Sequence, residues 1–260
     1  MAEVSREGYE PEKIIAGILD IGELLLISGA EIMRVEDTIS RLCQEYGFAK
    51  ADVFTITSSI VITAATTEGH IFTQTRRIRT RDTDLGRVER VNALSRSLCA
   101  APLPADKLKE AIEKVTVGKT YSKPTLLLLY GIISAAFSVF FGGSLHDAFA
   151  AFISGIVLYG ALEFGKILRL NGVLLNILCS GVTALAVVLI CALGIGENPD
   201  KIIIGNIMLL IPGLALTSSL RDIINGDTIS GLLGLSEALI KAFAIAIGSA
   251  AVLSSLGGLV

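Results

Sequence analysis

The residues best suited to chemistry lie near the end of the chain, in an apolar stretch interrupted by a helix breaker. The stretch NIMLLIPGLALTSSLRDIINGD, residues 206–227, has the composition of a membrane helix with Pro212 and Gly213 near its middle. Proline removes a backbone N–H group and displaces the carbonyl four residues earlier, here that of Met208. A simple proline kink is one interpretation. The other is a discontinuous helix whose freed backbone groups face a polar cavity, as in secondary transporters.

Polar side chains surround this break and suit a small ligand. Hydroxyl groups donate and accept hydrogen bonds, an arginine fork fits a carboxylate, and carboxylates balance an ammonium group or bind protons. An asparagine one and a half turns before the break is costly to bury unpaired, so it favours an interhelical hydrogen bond or a substrate contact. The predicted substrate path comprises Asn206, Pro212, Gly213, Thr217, Ser218, Ser219, Arg221, Asp222 and Asp227.

Two further acidic residues lie close to predicted membrane depth. Glu163 has Lys166 nearby and Glu237 has Lys241, at spacings that allow an ion pair on one helix face. A satisfied pair at the membrane interface is one interpretation of each. A deeper position would favour the neutral acid, which makes both residues candidates for proton coupling.

The composition indicates a membrane protein with a polar N-terminal half. The 260 residues are 52% hydrophobic and 18% charged, with a mean hydropathy of +0.68, above that of ordinary globular domains. Up to Lys123 there are 17 basic and 18 acidic residues, and the remainder has only 5 basic and 7 acidic ones. We therefore predict a cytoplasmic α+β domain at residues 1–123 and a five-helix transmembrane domain at residues 124–260.

The residue inventory argues against several partners and cofactors. Neither half is strongly basic and the chain has no Trp, so nothing indicates a nucleic-acid partner. The polar start, MAEVSREGYEPEK, lacks the apolar core of a secretory signal peptide. With two His residues and four Cys residues that form no CxxC pair, we expect no metal and no other cofactor.

Apolar spacing predicts four helices in the N-terminal half. The period over Pro11–Tyr46 predicts a helical hairpin or a bent helix, interrupted at Ser28–Ala30. Asp82–Asp84 is a good capping region for a helix at Leu85–Cys99, and a further helix is predicted at Ala105–Val115.

Between these helices, a run rich in β-branched residues predicts an antiparallel sheet. The run DVFTITSSIVITAATTEGHIFTQTRRI contains Glu68 and Gly69 as a turn between two strand-like segments. Its alternation predicts one buried face that carries Phe54, Ile56, Ile60 and Ile62.

A basic cluster follows the sheet. A solvated protein face is one interpretation, and a surface on anionic lipid headgroups is the other. The cluster comprises Arg76, Arg77, Arg79, Arg81, Arg87 and Arg90.

A span of about 20 apolar residues crosses the hydrocarbon core of a bilayer. Lys166, Arg169 and Arg221 fall in loops on the same side as the N-terminal half, which holds most of the basic residues. This predicts that the N-terminal half is cytoplasmic and that the C-terminus faces out. The predicted spans are Pro124–Phe141, Asp147–Phe164, Val173–Leu193, Ile202–Leu220 and Leu235–Val260.

Small residues at a spacing of four predict close helix packing in the membrane half. The pairs are Gly131 with Ala135, Ser134 with Ser138, and Ala151 with Gly155. We expect neighbours for these helices within the chain or on a partner.

Two segments together resemble the threonine/serine exporter family. LLISGAEIMRVEDTISRLCQEYGF, residues 25–48, resembles the opening motif of that family, with its Ser-Gly-Ala-Glu and Arg-Val-Glu-Asp elements. LLIPGLALTSSLRDIINGDTISGLLGLSEAL, residues 209–239, resembles the membrane signature with its Pro-Gly, Arg-Asp and Gly-Asp elements. The soluble-domain motif residues are Ser28, Gly29, Glu31, Arg34, Glu36 and Asp37.

The resemblance implies a multi-pass exporter of threonine and serine, or of succinate-like dicarboxylates, in the bacterial inner membrane, driven by the proton-motive force. It identifies the chain as the larger subunit of the split form. That form implies a small all-helical membrane partner and allows a higher oligomer.

Two other functions stay open at this point. One is a membrane-anchored, hydrolase-like enzyme, since Glu31, Arg34 and Asp37 at a spacing of three could share one helix face. A surface pair of Glu31 with Arg34 is the structural alternative. The other function is a regulatory or scaffold subunit of a transporter. We expect the chain not to be an enzyme.

Overall fold

The computed structural model describes residues 10–118 and 121–256. The polar N-terminal segment and the end of the predicted span Leu235–Val260 lie partly outside these residues. The helices are α1 (Pro11–Ile27), α2 (Ile32–Glu45), α3 (Leu85–Ala100), α4 (Ala105–Thr116), α5 (Lys123–Phe140), α6 (Leu145–Ile167), α7 (Gly172–Ala192), α8 (Pro199–Ile207), α9 (Gly213–Ile224) and α10 (Thr228–Leu256). The strands are β1 (Phe48–Ile56), β2 (Ser59–Thr66) and β3 (Ile71–Arg77).

The chain packs into two compact units. The first consists of Met1–Lys119 with Leu214–Ser236, and the second consists of Thr120–Gly213 with Glu237–Val260. The predicted division at residue 123 separates a soluble from a membrane domain. Packing alone does not test it, so it stays a prediction.

The first unit has an α/β core in which α1 is the central helix. Ile15, Ile18 and Leu25 of α1 are fully buried. Two glycines of α1 allow other helices to pack closely against it. An added Cβ at Gly17 would lie 2.6 Å from Leu108 of α4, and one at Gly22 would lie 2.6 Å from Ile39 of α2. The predicted helical hairpin and the helices at residues 85–99 and 105–115 are confirmed.

The sheet is antiparallel with the order β1-β2-β3, so the predicted first strand is in fact two strands. The prediction that Phe54 faces the core is wrong, since its side chain is 59% exposed. A turn between Ile56 and Ser59 places Thr55 opposite the buried Ile60. Cross-strand partners share a face, so Thr55, and not Phe54, points toward the core.

The second unit is a helical bundle in which small residues bring backbones together. An added Cβ at Gly155 of α6 would lie 2.5 Å from Ser134 Oγ of α5, and one at Gly205 of α8 would lie 2.6 Å from the Ser134 carbonyl oxygen. The close helix packing predicted from the pairs Ser134 with Ser138 and Ala151 with Gly155 is confirmed for Ser134, Ser138 and Gly155.

In the described residues, four helices are long and apolar enough to cross a membrane: α5, α6, α7 and α10. The prediction of a fifth span at Ile202–Leu220 is not confirmed. This segment forms two short helices, because α8 ends at Ile207 and α9 begins only at Gly213. Pro212 lacks the N–H group that would continue the helical hydrogen bonding.

Candidate functional site

A tight corner joins α1 to α2 and explains the Ser-Gly-Ala-Glu sequence. The N–H of Ala30 donates to the carbonyl of Leu25 at 3.0 Å, and the N–H of Gly29 donates to Leu26 at 3.2 Å. This is the Schellman ending of a helix, which requires a left-handed residue, and Gly29 supplies it with φ of 89°. Glu31 then occupies the N-cap position of α2 in an extended conformation.

A second corner of the same kind joins α9 to α10. The N–H of Gly226 donates to Ile223 at 3.1 Å and the N–H of Asp227 donates to the Asp222 carbonyl at 2.9 Å. Gly226 is again left-handed, with φ of 101°. The Asp227 carbonyl accepts the first helical hydrogen bond of α10 from Gly231. Both family-like motifs are therefore helix–glycine–acid–helix corners.

These two corners contact each other within the first unit. The guanidinium group of Arg221 donates to the carboxylate of Glu31. The N–H of Ile32 donates to Asp222 Oδ1 at 3.3 Å. The first N–H groups of a helix have no partner inside the helix, and here one of them is satisfied by a carboxylate 190 residues away. We call this pair of contacts the corner joint.

The end of β1 lies beside the corner joint. Glu36 accepts a hydrogen bond from the N–H of Thr55 at 2.7 Å, and Ser230 Oγ donates to the Thr55 carbonyl at 3.4 Å. A single strand residue is thus held by the second turn of α2 and by the first turn of α10. Neither Thr55 nor Ser230 was predicted, since hydroxyl residues are frequent in strands and helix ends alike.

Burial raises the pKa of Glu36, and the negative charge of Asp227 acts in the same direction. Burial likewise raises the pKa of Asp222, which lies outside the predicted spans, against the lowering effect of the hydrogen bond from Ile32. Two carboxyl groups of the site therefore favour protonation more than free side chains do.

The remaining residues of the soluble-domain motif have other roles. Ser28 is fully buried and its hydroxyl is unpaired among the described contacts, while its carbonyl accepts the N–H of Asp84 at 3.1 Å. Arg34 is exposed. The shared helix face and the Glu31–Arg34 pair are not formed, because Glu31 stands before the helix and binds Arg221. Asp37 binds Arg41 at 2.9 Å instead.

Asn206 lies in the core of the second unit. Its Nδ2 donates to Ser154 Oγ of α6 at 2.7 Å and to the Ile202 carbonyl at 2.8 Å. The predicted interhelical hydrogen bond is confirmed. Its Oδ1 is buried and has no partner among the described contacts, nor do the hydroxyls of Ser134 and Ser138.

The predicted helix break is confirmed. After α8, the N–H of Ile211 donates to Ile207 at 3.0 Å, and Gly213 N–H donates to Ile211 at 2.8 Å in a tight turn around Pro212. In α9, Thr217 Oγ1 donates to the Leu214 carbonyl at 3.0 Å and Ser218 is half-buried.

Ser219 packs α9 on α10. It is buried, and an added Cβ at Gly234 would lie 2.4 Å from its hydroxyl oxygen. Whether Ser219 also contacts a substrate stays a prediction.

The two acidic residues predicted near membrane depth differ. Glu163 pairs with Lys166 at 2.9 Å and also lies 3.8 Å from Lys123. Its local pair is confirmed. Glu237 is exposed, and the described ion pairs do not join it to Lys241.

Sequence reasoning overlooked one buried carboxylate, that of Asp147 at the start of α6. It forms a capping box with Ser144 and accepts the backbone N–H groups of Glu197 and Asn198, each at 2.8 Å. A serine three residues before an acid is the sequence pattern of this cap. Its role is to hold the loop between α7 and α8.

Three comparisons with known proteins bear on these motifs. The family model ThrE, described as "Putative threonine/serine exporter", matches residues 17–256 and so includes both corners. A "Probable threonine/serine exporter" of Mycobacterium tuberculosis is 27% identical over 243 residues, covering 91% of this chain and 45% of that protein. A "Threonine/serine exporter" of Corynebacterium glutamicum is 24% identical over 242 residues, covering 87% and 48%.

The chain spans about half the length of these curated relatives, 45% and 48%. No solved structure matches. Since the family model covers most of the sequence, including the corner joint and the broken helix, the chain belongs to the threonine/serine exporter family.

Proposed function

We propose that this chain forms part of a secondary transporter that exports small carboxylate metabolites across the bacterial inner membrane. Threonine and serine are the first candidate substrates, and succinate-like dicarboxylates are the next. The observation that carries the proposal is the contact of Arg221 with Glu31, which joins the two family motifs.

Arg221 is suited to exchange one carboxylate for another. Its side chain is 62% exposed, whereas that of Glu31 is 24% exposed, so a solute can reach the guanidinium group. A guanidinium fork binds carboxylates in general, and in this structure it binds the carboxylate of Glu31. We therefore assign Arg221 the role of binding the substrate carboxylate in competition with Glu31.

This exchange would alter the corner joint. If Glu31 is released, one of the two described contacts of the corner joint remains, the hydrogen bond from the N–H of Ile32 to the carboxylate of Asp222. Substrate binding would thus loosen α9 from the start of α2. We assign this change, at one end of a broken helix, to the first step of gating.

Proton coupling is the finer part of the proposal. Asp222 belongs to the corner joint and Glu36 lies beside it, and burial favours the protonated form of both carboxyl groups. Glu163 lies between two lysines, and Glu237 is exposed; both keep their proposed role as further candidates. We assign the acids of the corner joint the leading role in coupling to the proton-motive force.

The partner is proposed to be a second membrane half. The curated relatives are about twice as long as the stretch that matches, which supports a second half on the same polypeptide or on a small all-helical subunit. We further propose that the helices and sheet before α5 are cytoplasmic, in keeping with the basic residues on that side of the predicted spans.

Efflux from proteoliposomes tests the proposal. The chain is reconstituted with its second membrane half, a pH gradient is imposed, and the efflux of labelled threonine, serine and succinate is measured. Partner-dependent efflux of at least one is expected, and Arg221→Ala should reduce it more than tenfold. Arg96→Gln is the control, because Arg96 is exposed on α3 and makes no described ion pair.

Two results would contradict the proposal. Absence of flux for all three substrates in well-folded protein would refute the exporter function as stated. Wild-type flux in Arg221→Ala would show that Arg221 does not bind the substrate, and would favour a regulatory or scaffold role for this chain.

A further inference from the structure

An open pocket at the end of the sheet carries two arginines that the corner joint does not use. Its volume is about 720 Å³, within the range of ~300–1,000 Å³ found for small-ligand sites. Its lining combines three hydroxyl side chains with two guanidinium groups and one buried apolar residue. The lining residues are Ser58, Ser59, Thr75, Arg77, Ile78 and Arg79.

The backbone at this pocket is well fixed. The N–H of Ile78 donates to the Ser58 carbonyl at 2.8 Å, and Ser59 pairs with Arg77 in the sheet. Ile78 is buried and anchors the segment to the core. Arg77 is thus the last residue of β3, and Arg79 follows it directly after the anchored Ile78.

The charges of the pocket are not neutralised by the protein. Arg76, the neighbouring residue in the chain, binds Asp20 at 3.0 Å. In contrast, Arg77 and Arg79 are exposed and make no side-chain hydrogen bond or ion pair among the described contacts. No acidic residue lines the pocket. Two free guanidinium groups with nearby hydroxyls form a donor set that suits the several oxygens of a phosphate group.

The first turn of α10 contacts the strand that leads to the pocket. Ser230, in the first turn, donates to the carbonyl of Thr55. Thr55 precedes the turn that contributes Ser58 to the pocket.

Exposed apolar side chains on the α9–α10 corner, among them Ile229 beside Ser230, favour a lipid as the source of the phosphate. Exposed apolar residues together with basic residues are the usual composition of a segment that lies in the membrane interface. These residues are Leu220 (54% exposed), Ile224 (75%), Ile229 (65%) and Leu232 (52%).

We propose that the pocket binds the phosphate of an anionic phospholipid headgroup, held between Arg77 and Arg79. Bound lipid would fix the sheet end, and with it Thr55, against the membrane surface. This inference does not depend on the identity of the exported substrate.

Native mass spectrometry of the purified full chain tests this proposal. The protein is extracted from nanodiscs of phosphatidylcholine with increasing phosphatidylglycerol, and retained lipid is counted. The wild type should retain phosphatidylglycerol in preference to phosphatidylcholine. The double variant Arg77→Gln/Arg79→Gln should lower its apparent affinity at least tenfold.

Lys107→Gln/Lys109→Gln is the matched control, since it removes two exposed charges with the same spacing from α4. It should retain phosphatidylglycerol like the wild type. Thermal unfolding shows whether each variant is folded. If the double variant does not fold, the single variants R77Q and R79Q replace it, and each should weaken the retention of phosphatidylglycerol about threefold or more.

Three outcomes would overturn the proposal. They are equal retention in the wild type and the arginine variants, equal loss in the lysine control, and full displacement of the lipid by millimolar inorganic phosphate. The last outcome would identify a soluble phosphate compound as the ligand.

Discussion

Arg221 of α9 donates a hydrogen bond to the carboxylate of Glu31, 190 residues earlier in the chain. The residues that follow each of them form a second contact, from the N–H of Ile32 to the carboxylate of Asp222. The two motifs thus bind each other as a unit, and each is shaped by a left-handed glycine. The two motifs that resemble the family and the geometry of the two helix corners therefore coincide at this joint.

The first prediction concerns the energy of the Arg221–Glu31 pair. A double-mutant cycle with Glu31→Gln and Arg221→Gln should give a coupling energy of about 0.5–1 kcal/mol, because one partner is largely exposed. Thermal unfolding of the four proteins in detergent measures it. Transport in Arg221→Gln should fall far more than this small loss of stability explains. If the loss of transport in Arg221→Gln were no larger than its loss of stability explains, the pair would have only a structural role.

The second prediction separates the charge of Asp222 from its hydrogen bond. Asp222→Asn keeps an oxygen for the N–H of Ile32, whereas Asp222→Ala leaves that buried N–H unpaired. The alanine variant should therefore lose about 1–3 kcal/mol of stability and the asparagine variant clearly less. Urea unfolding of both variants measures the difference. Equal destabilisation would mean that the charge, and not the hydrogen bond, stabilises the start of α2.

Local features of the fold were predictable from the sequence. Apolar periodicity located α1 to α4, Gly29 marked the end of a helix, and Pro212 marked the break between α8 and α9. Each of these signals acts within a few residues along the chain. The face of β1 was not predictable in this way, because the turn before Ser59 resets the alternation and exposes Phe54.

Long-range features were not predictable. Hydropathy alone joins α8 and α9 into one span, although residues 214–236 pack with the N-terminal unit. The contact of Glu31 with Arg221 could not be inferred either, since a single sequence does not show which charged residues meet. A local pair of Glu31 with Arg34 was the obvious alternative, because residues three apart on a helix can form an ion pair.

The third prediction is a dependence of stability on pH that arises from Glu36. Its folded-state pKa is raised above the ordinary 4.5 by burial. The folded state then keeps a proton that the unfolded state has already lost, so stability falls as pH rises from about 4.5 through the folded-state pKa. Glu36→Gln should remove this fall and be the more stable protein at neutral pH.

Thermal unfolding of the wild type and Glu36→Gln between pH 4 and 8 measures the effect. The two curves should converge at the acidic end, where Glu36 is neutral in both states. Glu113→Gln, at an exposed position on α4, is the control and should follow the wild type. Parallel curves for wild type and Glu36→Gln across the whole range would contradict the assignment.

The fourth prediction tests the packing that holds Asn206. A Cβ at Gly205 would lie 2.6 Å from the carbonyl oxygen of Ser134 and 2.9 Å from the N of Ser138, both backbone atoms of α5. Because backbone cannot yield as a flexible side chain does, Gly205→Ala should force α8 from α5 and cost about 1–3 kcal/mol.

Gly160→Ala on α6 is the matched control, since an added Cβ there would meet no atom within 4 Å. It should be neutral or stabilising by up to about 1 kcal/mol, as alanine favours a helix interior. Thermal unfolding and protease resistance of the two variants should therefore change in opposite directions. If Gly205→Ala matched Gly160→Ala, α8 and α5 would not be in the close contact that keeps Asn206 buried beside Ser154.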